Sequence, residues 1–270
     1  AIGMSFLPNT PRWLASKGRW KEADHVLERI AGSKKDEEIS SIRKALAEAK
    51  HASLRELFFT GLRMALIVGV GLAIFQQVIG IGAISYYAPT IFKSAGFKSP
   101  AGDILATIIT AIDSITATIV ALFLLDRLGR RSLLLISLIG ITVTLVMMGI
   151  IFIFGASTTA AYLILICLLV YIFAYSIGIG PIFALMCSEI FPTPLRGVGV
   201  SISFCFNWAA TLLVSITFLS LIKHLGNSLT YWLYALLALA AVIFCWFLVP
   251  ETKGKSLEQI EKYWENGRHW

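Results

Sequence analysis

The sequence predicts an all-α membrane protein, with six transmembrane helices preceded by short cytoplasmic helices. Three observations carry this. Of 270 residues, 57% are hydrophobic and 14% charged, with a mean hydropathy of +0.79; soluble domains lie nearer half apolar and a quarter charged. Six apolar runs each reach the roughly 20 residues that a helix needs to span the hydrocarbon core. The Lys and Arg residues are distributed very unevenly around those runs.

The runs are Met64–Phe92, Ile104–Leu125, Ser132–Phe154, Ala161–Cys187, Val198–Ile222 and Leu229–Val249, and none contains a Lys or Arg. Only helices and closed barrels satisfy every backbone group in lipid. Barrel strands are shorter and alternate in polarity, so runs of this length are helices. A single run could be a buried helix of a large soluble protein, but six in succession argue against that.

Of the 23 Lys and Arg, twelve precede the first run, three lie in Asp126-Arg-Leu-Gly-Arg-Arg131, one is Arg196 and four follow Pro250; only Lys93, Lys98 and Lys223 fall on the other side. Positive residues concentrate on the cytoplasmic face. Both ends of the chain and the second and fourth interhelix loops are therefore expected there. The net charge of +7 follows from this topology, and nucleic acid is not an expected partner; the lipid bilayer is.

Before the first run, Trp20 to Ile30 has helical periodicity and mixed charge, and Glu37 to Lys50 places Ile39, Ile42 and Leu46 on one stripe. These predict short amphipathic helices at the cytoplasmic face. The expected division is 1–62 as the end of a preceding span plus a helical linker, 63–250 as a six-helix bundle and 251–270 as a cytoplasmic tail. The start at Ala1 lacks a signal-peptide pattern and is read as the start of a piece of a longer polypeptide. Cys167, Cys187, Cys205 and Cys245 all fall in apolar runs, where they read as packing residues. Neither a metal nor a cofactor is expected.

Polar groups inside spans are costly and face a bundle interior or a wet cavity. The first run carries Gln76, Gln77, Ser85, Tyr86 and Tyr87; the second carries Thr107, Thr110, Asp113 and Ser114; the fifth carries Ser203, Asn207, Trp208, Thr211 and Ser215. Steps of four from 203 to 215 keep one helix face polar. For the Ser and Thr residues, bonding to the preceding turn or to a neighbouring helix is the favoured reading. For Gln76, Gln77 and Asn207 a ligand site is favoured, because an amide both donates and accepts. Amides, an indole and almost no charge suit a neutral polyol: hydroxyls match amides, and C–H faces pack on Trp208. A cation would call for several carboxylates, an anion for Arg or Lys. Asp113, well inside its span, has three readings: a bonded packing group, an acceptor for a substrate hydroxyl, or a proton carrier.

Tyr175-Ser-Ile-Gly-Ile-Gly-Pro-Ile-Phe183 holds Gly178, Gly180 and Pro181, which weaken a helix and predict a hinge. At the cytoplasmic ends Asp126, Arg127, Arg130, Arg131, Glu189, Arg196 and Glu251 lie at one membrane depth, where acid–arginine pairs would latch an inner gate. The four histidines, His25, His51, His224 and His269, lie outside every span. No Ser-His-Asp constellation forms, so an enzyme is not expected.

The same stretches resemble the sugar porter family of the major facilitator superfamily. The motifs are Gln76-Gln-x-x-Gly80, Tyr86-Tyr87, Asp126-Arg-Leu-Gly-Arg-Arg131, Glu189-Ile-Phe-Pro192 with Arg196-Gly197, and Pro250-Glu-Thr-Lys-Gly254, in order. Pro8-Asn-Thr-Pro-Arg-Trp-Leu14 is similar to the family's Pro-Glu-Ser-Pro-Arg-Trp-Leu, with Asn9 in place of Glu. The resemblance implies the C-terminal half of a twelve-helix carrier, helices seven to twelve, whose partner is an N-terminal six-helix half. It implies sugar transport by alternating access in a plasma membrane or bacterial inner membrane, in some members as proton symport. By position it implies sugar binding at Gln76, Gln77, Asn207 and Trp208, with Tyr86 and Tyr87 as outer-gate aromatics. Gly82 stands where the family usually has Asn, Ala184 where it has Trp, and Ser114 replaces an Asn of well-known members. These departures point away from glucose or xylose and towards a larger polyol such as an inositol. A non-transporting sugar receptor on the same fold is the alternative.

Overall fold

A computed structural model describes residues 10–31, 36, 38–40, 42–43, 62–87, 100–155, 157–192, 194–255 and 257–267. All regular structure among the described residues is helical. Most of the expected Glu37–Lys50 stripe, Asn9 and residues 88–99 lie outside the described residues.

Two short helices come first: α1 (Pro11–Ser16), capped by the Thr10 hydroxyl accepting from the Trp13 N–H, and α2 (Trp20–Ala31). Leu14, Ala15, Ala23 and Leu27 bury their side chains together with Ile42. This is what amphipathic spacing dictates, since i, i+3 and i+4 positions share a face.

Five helical stretches among the described residues are long and apolar enough to cross a membrane: Arg63–Tyr87, Ile108–Leu128, Arg130–Ile153, Thr158–Ile190 and Arg196–Leu248. The first is two helices, α3 (Arg63–Val78) and α4 (81–87). They separate at Gly80, whose φ of 96° is open to glycine at little cost. The fourth is also two, α7 (Thr158–Ile177) and α8 (Ile179–Ile190), with Gly178 between them. Between these stretches run α5 (Pro100–Leu128) and α6 (Arg130–Ile153).

The last stretch, α9 (Arg196–Leu248), joins the two final apolar runs of the sequence into one 53-residue element broken by non-helical backbone at Gly226. At about 1.5 Å per residue, 53 residues would reach about 80 Å, far beyond a hydrocarbon core of about 30 Å. The contacts show that the chain turns back instead. Before Gly226 it runs parallel to α3 and α4: Asn207 meets Ala73, and Tyr87 meets Ser215. After Gly226 it runs antiparallel: Tyr234 lies against Gly80, and the Phe244 ring meets Phe75 at a tilt with centroids 5.2 Å apart. A terminal helix, α10 (Leu257–Glu265), buries Ile260, Tyr263 and Trp264.

One core joins α3, α6, α7, α8 and α9. Helix α5 packs on α7 through small residues, Ala117 and Ala121 against Ile177 and Phe173. Its other faces, with Ile112, Ile115, Ile119, Leu122 and Phe123, are exposed.

Candidate functional site

The polar groups of α3 and α9 meet where α7 gives way to α8. Gln76 Nε2 donates to the Ile179 carbonyl at 3.3 Å and the Gly180 carbonyl at 2.9 Å. Asn207 Nδ2 donates to Gln76 Oε1 at 2.7 Å and to the Ala73 carbonyl at 2.9 Å. Gln77 Nε2 donates to Asn207 Oδ1 at 3.2 Å. The three amides thus form one relay that ties α3, α9 and the α7–α8 break together. Both carbonyls belong to the first turn of α8, and because a carbonyl oxygen has two lone pairs, Gln76 adds its bonds to those of the helix itself.

The two glutamines have different duties because adjacent helical residues point about 100° apart. Gln76 is 7% exposed and both its amide hydrogens are taken by the protein. Gln77 is half-buried. Among the described residues its carbonyl oxygen accepts no hydrogen bond, so an acceptor and one N–H remain for a ligand. Asn207, also 7% exposed, positions that group. Trp208 and Tyr86 are 69% and 70% exposed.

The stripe from 203 to 215 faces α3 and α4. The hydroxyls of Ser203 and Thr211 bond the carbonyls four residues earlier. Tyr87 donates to the Ser215 carbonyl at 3.4 Å and stacks on Phe218. A Cβ placed on Gly82 would approach only Ser215 and Thr211, both at 3.9 Å, so this position is open space where a larger side chain would reach towards α9.

On α5, the Ser114 hydroxyl lies 3.2 Å from that of Ser176. Both border a cleft of about 360 Å³ lined also by Ser85, Thr110, Ile172 and Tyr175. Asp113 is half-buried, and its Oδ2 is buried without a hydrogen-bond partner among the described residues.

Gly178 breaks the α7–α8 element against α6. A Cβ there would clash with Ser137 Cβ and Oγ, and Ser137 Oγ accepts from the Ile179 N–H at 3.2 Å. Pro181 falls in the first turn of α8, where a missing N–H costs nothing. The Tyr171 hydroxyl, buried in the core, donates to the Ile79 carbonyl at 3.0 Å and so supports the break in α3–α4. Sequence reasoning passed over Tyr171 and Ser137, since a lone hydroxyl in an apolar run carries no signal of the carbonyl or N–H it will meet.

At the other end, Arg130 pairs with Glu189 at 3.1 Å with both side chains largely buried. Glu189 also accepts from the Thr252 hydroxyl. Glu251 works differently from the acid–arginine pairing expected of it. Its carboxylate accepts from the backbone N–H groups of Arg130 and Arg131 at 3.0 and 3.1 Å, capping α6 at the positive end of the helix dipole. Gly129, at φ 87°, admits it: a Cβ there would lie 2.6 Å from Glu251 Oε2. The Arg131 guanidinium donates to the Trp246 carbonyl and lies 5.7 Å from the Trp246 ring. Arg196 Nε donates to the Phe191 carbonyl at 3.4 Å, while Asp126 and Arg127 have exposed side chains. Trp264 of α10 joins from outside the expected set, donating to the Ile190 carbonyl at 3.1 Å.

Replacing Gly129 with alanine forces both a strained φ and a contact with Glu251. A loss of about 2–3 kcal/mol is expected, read as a lower unfolding midpoint in detergent, and Glu251→Ala should remove part of the added penalty.

Residues 1–264 match the family model described as "Sugar (and other) transporter". The arabinose-proton symporter of Bacillus subtilis (strain 168) is 37% identical over 259 residues, covering 96% of this chain and 55% of that protein. The facilitated trehalose transporter Tret1 of Apis mellifera ligustica is 39% identical over 270 residues, covering 97% and 53%. The solved structure of the proton:xylose symporter XylE bound to 6-bromo-6-deoxy-D-glucose superposes with a TM-score of 0.81 at 34% identity, covering 98% of this chain and 56% of that one. The chain thus spans little more than half the length of the curated relatives it matches.

Proposed function

We propose that this chain, which belongs to the sugar (and other) transporter family, forms the C-terminal half of a carrier that moves a neutral sugar or polyol by alternating access. The family is one of transporters, not enzymes, and multi-pass membrane location follows from it. In this reading the chain crosses the membrane six times, the sixth crossing beginning after the turn at Gly226. Residues 1–62 link it to an N-terminal six-helix half, 63–250 form the bundle and 251–270 the tail. Both ends face the cytoplasm.

The amide relay is the observation that carries this reading. Gln77, held by Asn207, presents an unused acceptor and donor beside the open space at Gly82. Such a pair matches the donor and acceptor of a sugar hydroxyl. Trp208, Tyr86 and Ser114 complete the binding surface, with Trp208 offering its indole face to the ring. Gln76 contributes by fixing Asn207 and the α7–α8 break. Tyr87, Gly178, Gly180 and Pro181 form the gate and hinge. The cluster of Arg130, Glu189, Thr252 and Glu251 latches the inner side, with Asp126, Arg127, Arg131 and Arg196 at its rim. The arabinose, xylose and trehalose of the relatives' names are all uncharged and hydroxyl-rich, which supports the ligand class.

Gln77→Ala in the intact carrier removes a two-point contact. Sugar affinity is expected to fall by about 5- to 150-fold, the range for about one to three kcal/mol of lost hydrogen bonding, in a direct binding titration. Unaltered affinity would remove Gln77 from the site. Binding without uptake into proteoliposomes would instead support the non-transporting receptor.

A further inference from the structure

We propose that Asp113 is a proton-carrying group of the transport cycle, taking up and releasing one proton as sugar crosses; this rests on the carrier reading above. Three facts converge on it. Asp113 is the one carboxylate set well inside an apolar run, ten or so residues from either end. Its Oδ2 is buried and has no hydrogen-bond partner among the described residues. The hydroxyls beside it are engaged elsewhere: Thr116 donates to the Ile112 carbonyl, Thr118 to the Ser114 carbonyl, and Ser114 pairs with Ser176.

Among the described residues no cation pairs with the carboxylate. Helix α6 has no titratable group between Ser132 and Ile153. Helix α7 offers Tyr162, Cys167, Tyr171 and Tyr175; Tyr171 is engaged with Ile79, and Tyr175 lines the cleft with Ser114. Helix α4 offers Tyr86 and Tyr87. Along α5 the other charged residues are Asp103, about 15 Å back, and Asp126 and Arg127, about 20 Å on, at 1.5 Å per residue.

A buried carboxylate oxygen with neither donor nor cation is unfavourable while it carries charge. A proton removes the charge and converts the group into an O–H donor. Thr110 and Ser114, three residues before and one after Asp113 on its helix, line the cleft of about 360 Å³, which puts a space bordered by hydroxyls within one helical turn of this residue. When that space opens to water on one side, an O–H bond forms at the carboxylate with a proton from water. When it opens on the other, the bond breaks and the proton returns to water. One proton crosses, and no electron is exchanged.

The test uses the intact carrier in proteoliposomes with labelled xylose and labelled trehalose as probes, at internal and external pH varied together. Wild-type exchange is expected to change about tenfold or more between about pH 5.5 and 8, as titration of one essential carboxyl predicts. Asp113→Asn, which keeps the shape and loses the proton site, is expected to be flat across that range whatever its absolute rate, and Asp113→Glu to restore the slope. If Asp113→Asn moves no sugar, the same comparison is read on the pH dependence of sugar binding in detergent. A wild-type slope retained by Asp113→Asn, or a wild type that moves sugar with no slope, overturns the proposal alone. A wild type that moves neither probe overturns the carrier reading for these sugars and this proposal with it.

Discussion

Asn207→Ala is expected to lower the stability of the intact carrier and its sugar affinity together. Asn207 is the middle of the relay: it donates to Ala73 and Gln76 and accepts from Gln77. Hydrogen bonds between membrane helices contribute about 0.6 kcal/mol each on average and up to about 1.7. Three of them lost at one buried position correspond to about 2–3 kcal/mol. Fluorescence-detected unfolding in detergent would read this as a lowered midpoint. The affinity loss arises separately, because Gln77 is released from the orientation in which it meets the ligand. Gln76→Ala separates the two effects. It also removes three bonds, to Ile179, Gly180 and Asn207, yet it leaves the Gln77–Asn207 bond in place. Its stability loss should match that of Asn207→Ala, with the smaller loss of affinity. Equal affinity losses in both variants would mean that Gln77 is not the group that Asn207 positions.

Gly178→Ala is expected to cost about as much for a different reason. The added methyl would enter the space of Ser137 on α6, and a packed interior answers such an insertion by moving backbone, at about 1–3 kcal/mol. The move would also stretch the bond from the Ile179 N–H to Ser137 Oγ. Because α8 carries the two carbonyls that Gln76 holds, transport should fall with stability. Ser137→Gly in the same chain removes the atoms that clash, and partial recovery of both readouts is expected. An unfolding midpoint unmoved by Gly178→Ala would show that α7 and α8 are not held against α6 as described.

The spans were legible because burial in lipid demands long apolar runs, and the runs announce themselves whatever their neighbours do. Their interruptions were legible only in part. Gly178, Gly180 and Pro181 mark α7–α8 by composition, but Gly80 lies in a run whose glycines look alike in sequence, and its positive φ is set by the tertiary fit of Tyr234 and Tyr171 around it. The amides stood out as polar groups in apolar sequence, yet periodicity does not say which of two adjacent glutamines looks into the bundle. That depends on where the first turn of α8 brings its carbonyls. Glu251 shows the same limit: its charge suggested an arginine partner, whereas the position of Gly129 delivers it to backbone N–H groups instead. Ser203 and Thr211 of α9 bond their own helix, one of the two outcomes expected of them, because that chemistry is local.

The most direct measurement crosses Gln77→Ala with a series of singly deoxygenated sugars, scored as competitors for labelled sugar uptake by the intact carrier. If Gln77 holds one particular hydroxyl, loss of that hydroxyl should weaken competition about tenfold or more in the wild type and leave the Gln77→Ala variant unaffected, since a site built to bond a hydroxyl discriminates against its absence. Parallel losses for every deoxy sugar in both proteins, or uptake that no sugar inhibits, would contradict a hydroxyl-reading amide at this position.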